Sequence, residues 1–157
     1  MARLDSLGEW ERELLLQMLK EIPDFNGQPW VAGPPLARRR VAIITTSGIH
    51  RRDDVAYADG AAASDYRVIP GDVAAGDLVM SHLSSNYDRT GFQQDANVVF
   101  PIDRLRELAA DGVIGSVADY HYAFMGAARL PGLEPKARQV AGLLKRDAVD
   151  AVLLTPV

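Results

Sequence analysis

Val41-Ala42-Ile43-Ile44-Thr45-Thr46, running into Ser47-Gly48-Ile49-His50, is the stretch on which the fold turns. It is apolar or β-branched at odd and even positions alike. That pattern predicts a strand covered on both faces, as in a parallel sheet between helix layers. Open sheets of this kind collect ligands outside the carboxyl ends of their strands. The small-residue turn Ser47-Gly48 and the histidine after it therefore mark the expected place for chemistry.

Reading towards the C-terminus, Tyr66-Arg67-Val68-Ile69 predicts a short strand closed by Pro70-Gly71, and Leu78-Val79-Met80 a second that ends in Ser81-His82. The polar stretch from Leu83 to Asp95 is long for a compact domain, and such loops often carry function. Asn97 to Phe100 reads as a strand. Pro101 then opens a helix whose inner face is Ile102, Leu105, Leu108 and Ala109, with Gly112 as its cap. Val113 to Val117 reads as another strand, while Tyr120, Tyr122, Phe124 and Met125 pack around a turn at Gly126. Pro135 opens a last helix with Val140, Leu143 and Leu144 inward. The last seven residues, Ala151 to Val157, read as a buried parallel strand delivering the chain to the sheet's carboxyl edge. Strand–helix alternation of this kind gives one α/β domain over residues 1–157, a mainly parallel sheet flanked by helices in Rossmann-like layers.

Towards the N-terminus the organisation is simpler. Residues 1–22 predict a helix opened by a Ser6–Glu9 capping box, with Trp10, Leu14 and Met18 on an apolar stripe beside Leu15, Leu19 and Ile22. Residues 23–40 form a Pro- and Gly-rich connector with Trp30 as its anchor, ending in Arg38-Arg39-Arg40, which solvates the approach to the first strand. Residues 41–157 hold the α/β region.

Composition narrows the chemistry. The chain has 157 residues, 48% hydrophobic and 24% charged, an ordinary globular balance. It has no cysteine, which excludes disulfides, cysteine-ligated metals and a thiol nucleophile among these residues. A net charge of −4 with one short basic run argues against nucleic-acid binding. No apolar run approaches the ~20 residues a membrane helix needs, so no membrane association and a cytoplasmic location are expected. No phosphate-binding glycine motif and no GxSxG nucleophile elbow occurs.

Three histidines carry the remaining signal: His50, His82 and His121. Imidazole titrates near neutrality, so a histidine at a strand's carboxyl end suits proton transfer or metal ligation. With Asp88 or Asp95, two of them would make a two-histidine, one-carboxylate metal site.

Taken in order, several segments resemble the selenoprotein B family of glycine, sarcosine, betaine and D-proline reductases. The likeness runs from Val41–His50 through Tyr66–Pro70, Ser81-His82 and Tyr87-Asp88. It is strongest at Asp95-Ala96-Asn97-Val98-Val99-Phe100-Pro101-Ile102-Asp103-Arg104-Leu105, followed by Gly112–Gly115, His121–Gly126 and Asp150–Val157. The resemblance implies reductive C–N cleavage of a small-molecule substrate. It places a selenocysteine or cysteine directly after a segment like Thr155-Pro156-Val157. The sequence stops at Val157, as a reading halted at an unrecoded UGA codon would, so a truncated chain without redox activity of its own is expected. The resemblance further implies partner reductase subunits, one carrying a pyruvoyl group, or a homo-oligomer.

On this reading the catalytic set is His50, His82, His121 and Asp88. Substrate contacts are expected from Thr46, Ser47, Gly48, Ser81, Tyr87 and Thr155, with no metal and no cofactor within the chain. Two alternatives remain: a non-catalytic binding or assembly subunit, and a metal-dependent hydrolase using His50, His82 and Asp88.

Overall fold

The computed structural model describes residues 4–20, 22, 27, 31–57, 63–84, 87–128 and 130–157. The chain divides into two compact units, Met1–Val31 and Ala32–Val157. The first is built on helix α1, Glu9–Lys20. It starts later than the Ser6–Glu9 box predicts, because the Gly8 carbonyl accepts the Arg12 N–H at 2.9 Å and so closes the first turn. No side chain of α1 is buried. The expected anchor Trp30 lies outside the described residues.

The second unit holds the α/β fold. Its axis is β1 (Arg40–Thr45), the strand read from the sequence, with five of its residues from Val41 to Thr45 buried or half-buried. On one side β1 pairs in parallel with β5 (Ser116–Val117) and then β6 (Tyr120–Phe124). On the other it pairs in parallel with β7 (Ala151–Thr155), in register from Val41↔Ala151 to Thr45↔Thr155. β3 (Tyr66–Pro70) joins the far edge of β6 antiparallel. A separate antiparallel pair is formed by β2 (Ile49–Arg51) and β4 (Leu78–Met80).

Alternation along β1 builds two cores, as a pleated strand must. Val41 and Ile43 pack with Phe100, Ile102 and Leu105, which bring in helix α3 (Ile102–Ala110). Ala42 packs on the opposite face with Tyr122, Phe124, Val140 and Leu144, the last two from helix α4 (Leu130–Arg146). Gly112, with φ +70°, ends α3 as expected.

Four local expectations are corrected. Asn97–Phe100 is no strand: Ala96–Val98 forms a 3₁₀ turn capped by Asp95, which accepts the Asn97 N–H at 2.9 Å. The Asn97 side chain also accepts the Asp103 N–H at 3.1 Å, and such local side-chain bonds outcompete sheet pairing. Val113–Val117 shrinks to the two residues of β5, because a loop folds Ile114 into the core first. Pro135 sits inside α4, which starts five residues earlier at Leu130. β7 is parallel as expected but not buried: it pairs with β1 alone among the described residues, and Leu154 is 66% exposed.

Arg40 corrects the reading of the basic run as mere solvation. At the amino end of the sheet its guanidinium meets Asp147 Oδ1 at 2.5 Å, Asp119 Oδ1 at 2.8 Å and the Val117 carbonyl at 2.7 Å. The other Asp147 oxygen accepts the N–H groups of Asp119 and Tyr120 at 2.8 and 3.3 Å. Asp150 accepts the Arg40 N–H at 2.9 Å. Burial pushes the Asp147 carboxyl upward, but Arg40 and these backbone donors outweigh it and hold it below the ordinary range.

Candidate active site

The carboxyl ends of β1, β6 and β7 meet at Thr46. Its N–H donates to the Thr155 carbonyl at 3.2 Å and its carbonyl accepts the Gly126 N–H at 2.8 Å. Its hydroxyl accepts the Val157 N–H at 2.8 Å. One residue on, Ser47 bridges Met125, and Gly48 donates to Phe124 and accepts the Ser81 N–H at 3.0 Å. The strand ends are thus tied directly to Ser81-His82, the segment leaving β4.

Two glycines make this junction sterically possible. At Gly48, φ is +67° and a Cβ would lie 3.2 Å from the His82 backbone. At Gly126 a Cβ would lie 2.8 Å from both the Thr46 and Val157 carbonyl oxygens and 3.3 Å from His82 Nε2. The imidazole of His82 is therefore packed against the point where β6 and β7 leave the sheet.

His82 is 4% exposed. Its Nδ1 accepts the Ser84 N–H at 3.2 Å, so in the neutral ring the proton sits on Nε2. That Nε2–H has no hydrogen-bond partner among the described residues. Burial and the nearby Arg89 cation both lower the pKa of His82, which keeps the ring neutral. Tyr87 packs on the ring with centroids 5.0 Å apart, and Arg89 donates to the His82 carbonyl. Leaving a buried donor unpaired costs about 1–3 kcal/mol, and such groups concentrate at functional sites.

The other expected site residues divide. His50 is buried within β2, not in a turn, and contacts Ser81 through its Nε2 at 2.8 Å. Ser47 is fully buried, its hydroxyl 2.9 Å from that of Thr45, and Thr155 donates its hydroxyl to the Val99 carbonyl at 2.9 Å. His121 lies inside the sheet. Its Nδ1 accepts the Ile43 N–H at 2.9 Å, where the ladder breaks between β5 and β6, and its ring meets Phe100 edge-on. Burial above all, with the Arg106 cation second, lowers its pKa to about 4. Asp88 is exposed and turned to its own helix, α2 (Thr90–Gln94), accepting the Thr90 N–H at 2.9 Å.

Among the described residues no three His, Asp or Glu side chains gather as a metal site, so the geometry lends the hydrolase alternative no support. A cleft of about 470 Å³ lies at the opposite end of the sheet, lined by Pro70, Gly71, Asp72, Val117, Ala118, Asp119 and Tyr120. It contains none of the expected site residues. Arg89 and Tyr57 escape sequence reasoning, which reads Gly126 as a turn without its part in the site. Only Gly126, beside the aromatic run, leaves a local trace.

This is an α/β protein whose polar strand ends converge on one buried imidazole donor. The family model for glycine/sarcosine/betaine reductase selenoprotein B matches residues 8–157, and the chain belongs to that family. D-proline reductase subunit gamma of Acetoanaerobium sticklandii is 38% identical over 117 residues, covering 73% of this chain and 47% of the relative. Glycine reductase complex component B subunit gamma of Symbiobacterium thermophilum is 33% identical over 161 residues, covering 91% and 36%. Sarcosine reductase complex component B subunit beta of Peptoclostridium acidaminophilum is 29% identical over 152 residues, covering 94% and 33%. The chain thus spans about a third to a half of these relatives. No solved structure matches it. No helix among the described residues is long and apolar enough to cross a membrane.

Proposed function

We propose that the chain is a component of a selenoprotein-B-type reductase, working with partner subunits on a small amine or ammonium substrate of the glycine, sarcosine, betaine or D-proline kind. The observation that carries this reading is the buried Nε2–H of His82, without a partner among the described residues, at the carboxyl pole of a chain belonging to that family. Reductive C–N cleavage develops negative charge on the departing amine, and a neutral imidazole N–H is suited to stabilise that charge by hydrogen bonding while water supplies the proton. Tyr87 fixes the ring plane, the Ser84 N–H fixes the tautomer, and Arg89 holds the backbone. Thr46 and the strand-end carbonyls form the adjoining wall. His121 is enclosed in the core and takes no part in substrate contact.

The chain has no cysteine, so on this reading the reducing selenol or thiol comes from outside residues 1–157. That group would supply the electron pair, and a pyruvoyl carbonyl on a partner subunit would hold the substrate amine. A selenolate or thiolate anion is a fitting acceptor for the His82 N–H.

The test is reconstitution with partner subunits that carry the selenol or thiol and the pyruvoyl group. Complex formation and dithiol oxidation dependent on one of the four substrates are expected. His82→Asn keeps an acceptor for the Ser84 N–H but loses the ε donor, and should lower turnover by about 100-fold, with partial recovery in His82→Gln. Failure to bind any of the four partner sets, or full turnover by His82→Asn, would refute the proposal.

A further inference from the structure

His50 and Ser81, 31 residues apart in sequence, form a second reactive arrangement whose chemistry does not need the reductase's redox step. β2 and β4 pair with His50 opposite Val79, and the Ser81 N–H extends that ladder by bonding the Gly48 carbonyl. His50 is 5% exposed and its ring is held on three sides. Nδ1 lies 2.7 Å from the Arg51 carbonyl, Nε2 lies 2.8 Å from Ser81 Oγ, and Tyr57 packs edge-on at 6.3 Å. Tyr57 is itself fixed by donating its hydroxyl to the Ala123 carbonyl at 2.6 Å.

These contacts determine the tautomer. A carbonyl has no proton to give, so Nδ1 carries the N–H, and Nε2 of the neutral ring holds a lone pair. The Ser81 hydroxyl must then donate to Nε2. His82 and His121 have the reverse arrangement, since each accepts a backbone N–H at Nδ1. Of the three imidazoles, only His50 presents a base to a hydroxyl, and Ser81 is half-buried, not sealed in the core.

We propose that Ser81 is a nucleophile activated by His50, reactive towards small activated acyl esters, with the Arg51 carbonyl orienting the base where a carboxylate often stands. Ser81 Oγ attacks the ester carbonyl carbon and its proton passes to His50 Nε2. The C–O bond to the leaving group breaks, and the departing alkoxide takes that proton. An acyl ester of Ser81 remains. Water, deprotonated by the same base, cleaves it to the free acid and restores the hydroxyl, so ester and water become acid and alcohol. No oxidant or reductant is involved.

A fluorophosphonate probe tests this on the folded 157-residue chain, with the adduct located by tandem mass spectrometry. The proposal expects one adduct, on Ser81, absent in Ser81→Ala, at least about 100-fold slower in His50→Gln, and lost when the wild type is unfolded in urea. Native wild-type protein that stays unlabelled at Ser81 would overturn it, as would equal labelling of Ser81 in the urea-unfolded chain. These readings use the wild type alone, so a variant that fails to fold does not blunt the test.

Discussion

The two ends of the sheet in the second unit are built on opposite plans. At the amino end every strong donor and acceptor around Arg40 is matched, by Asp147, Asp119, Asp150 and two backbone carbonyls. At the carboxyl end His82 keeps a buried N–H without a partner among the described residues, pressed against Gly126 and the end of β7. Satisfied polar networks hold a fold in one arrangement, whereas an unpaired buried donor costs stability; His121 Nε2 is a second such donor among the described residues, but it is sealed inside the sheet, whereas His82 stands at the strand ends. The difference teaches that one end supports the strands, and on the proposed function the other receives the ligand.

The largest expected effect lies between the two ends, at His121. Its folded-state pKa is about 4 against an ordinary 6.5, so the unfolded chain takes up a proton first as pH falls. Its contribution is complete above pH 6.5 and declines towards pH 4, by up to about 3 kcal/mol. Urea unfolding across that range should show the loss, and His121→Asn, which keeps an acceptor for the Ile43 N–H, should flatten it. An unchanged slope in that variant would put the titrating group elsewhere.

Asp147→Ala comes next, at about 2–3 kcal/mol, because it takes the nearer carboxylate from Arg40, leaving only the more exposed Asp119, and unpairs two backbone N–H groups, while solvent around the half-buried pair softens the loss. A calorimetric midpoint lowered by several degrees is expected, with the pole at His82 unaffected. If Asp147→Ala melted with the wild type, the amino end would not be the support described.

The smallest effect sharpens the contrast most. His82→Asn removes a donor that bonds none of the described residues and retains the acceptor for Ser84, so stability should change by less than about 1 kcal/mol. A destabilisation matching that of Asp147→Ala would erase the distinction between the two ends.

Much of this was legible in the sequence, for physical reasons that differ by element. Val41–Thr45 announces a doubly covered strand because apolarity on both faces has no other economical use. Ile102 and Leu105 announce α3 by their spacing, and the strand ends drew attention to His50 and His82 without distinguishing them. Asn97–Phe100 misled because β-branched composition is outweighed there by Asp95 and Asn97 bonding their own backbone. β7 looks buried because Val152, Leu153 and Leu154 are apolar, yet burial depends on a neighbouring strand that local sequence does not reveal. The roles of the histidines were illegible, since each tautomer depends on a backbone group two, one or 78 residues away.

Those tautomers give the most direct test of the central claim, that His82 holds a neutral imidazole with a free Nε2–H at the carboxyl pole. A long-range ¹H–¹⁵N spectrum of the histidine side chains at neutral pH reads the protonated nitrogen of each ring. His82 should appear neutral and protonated at Nε2, and the neutral form of His50 should carry its proton on Nδ1. A His82 that is charged, or that carries its proton on Nδ1, would contradict the account.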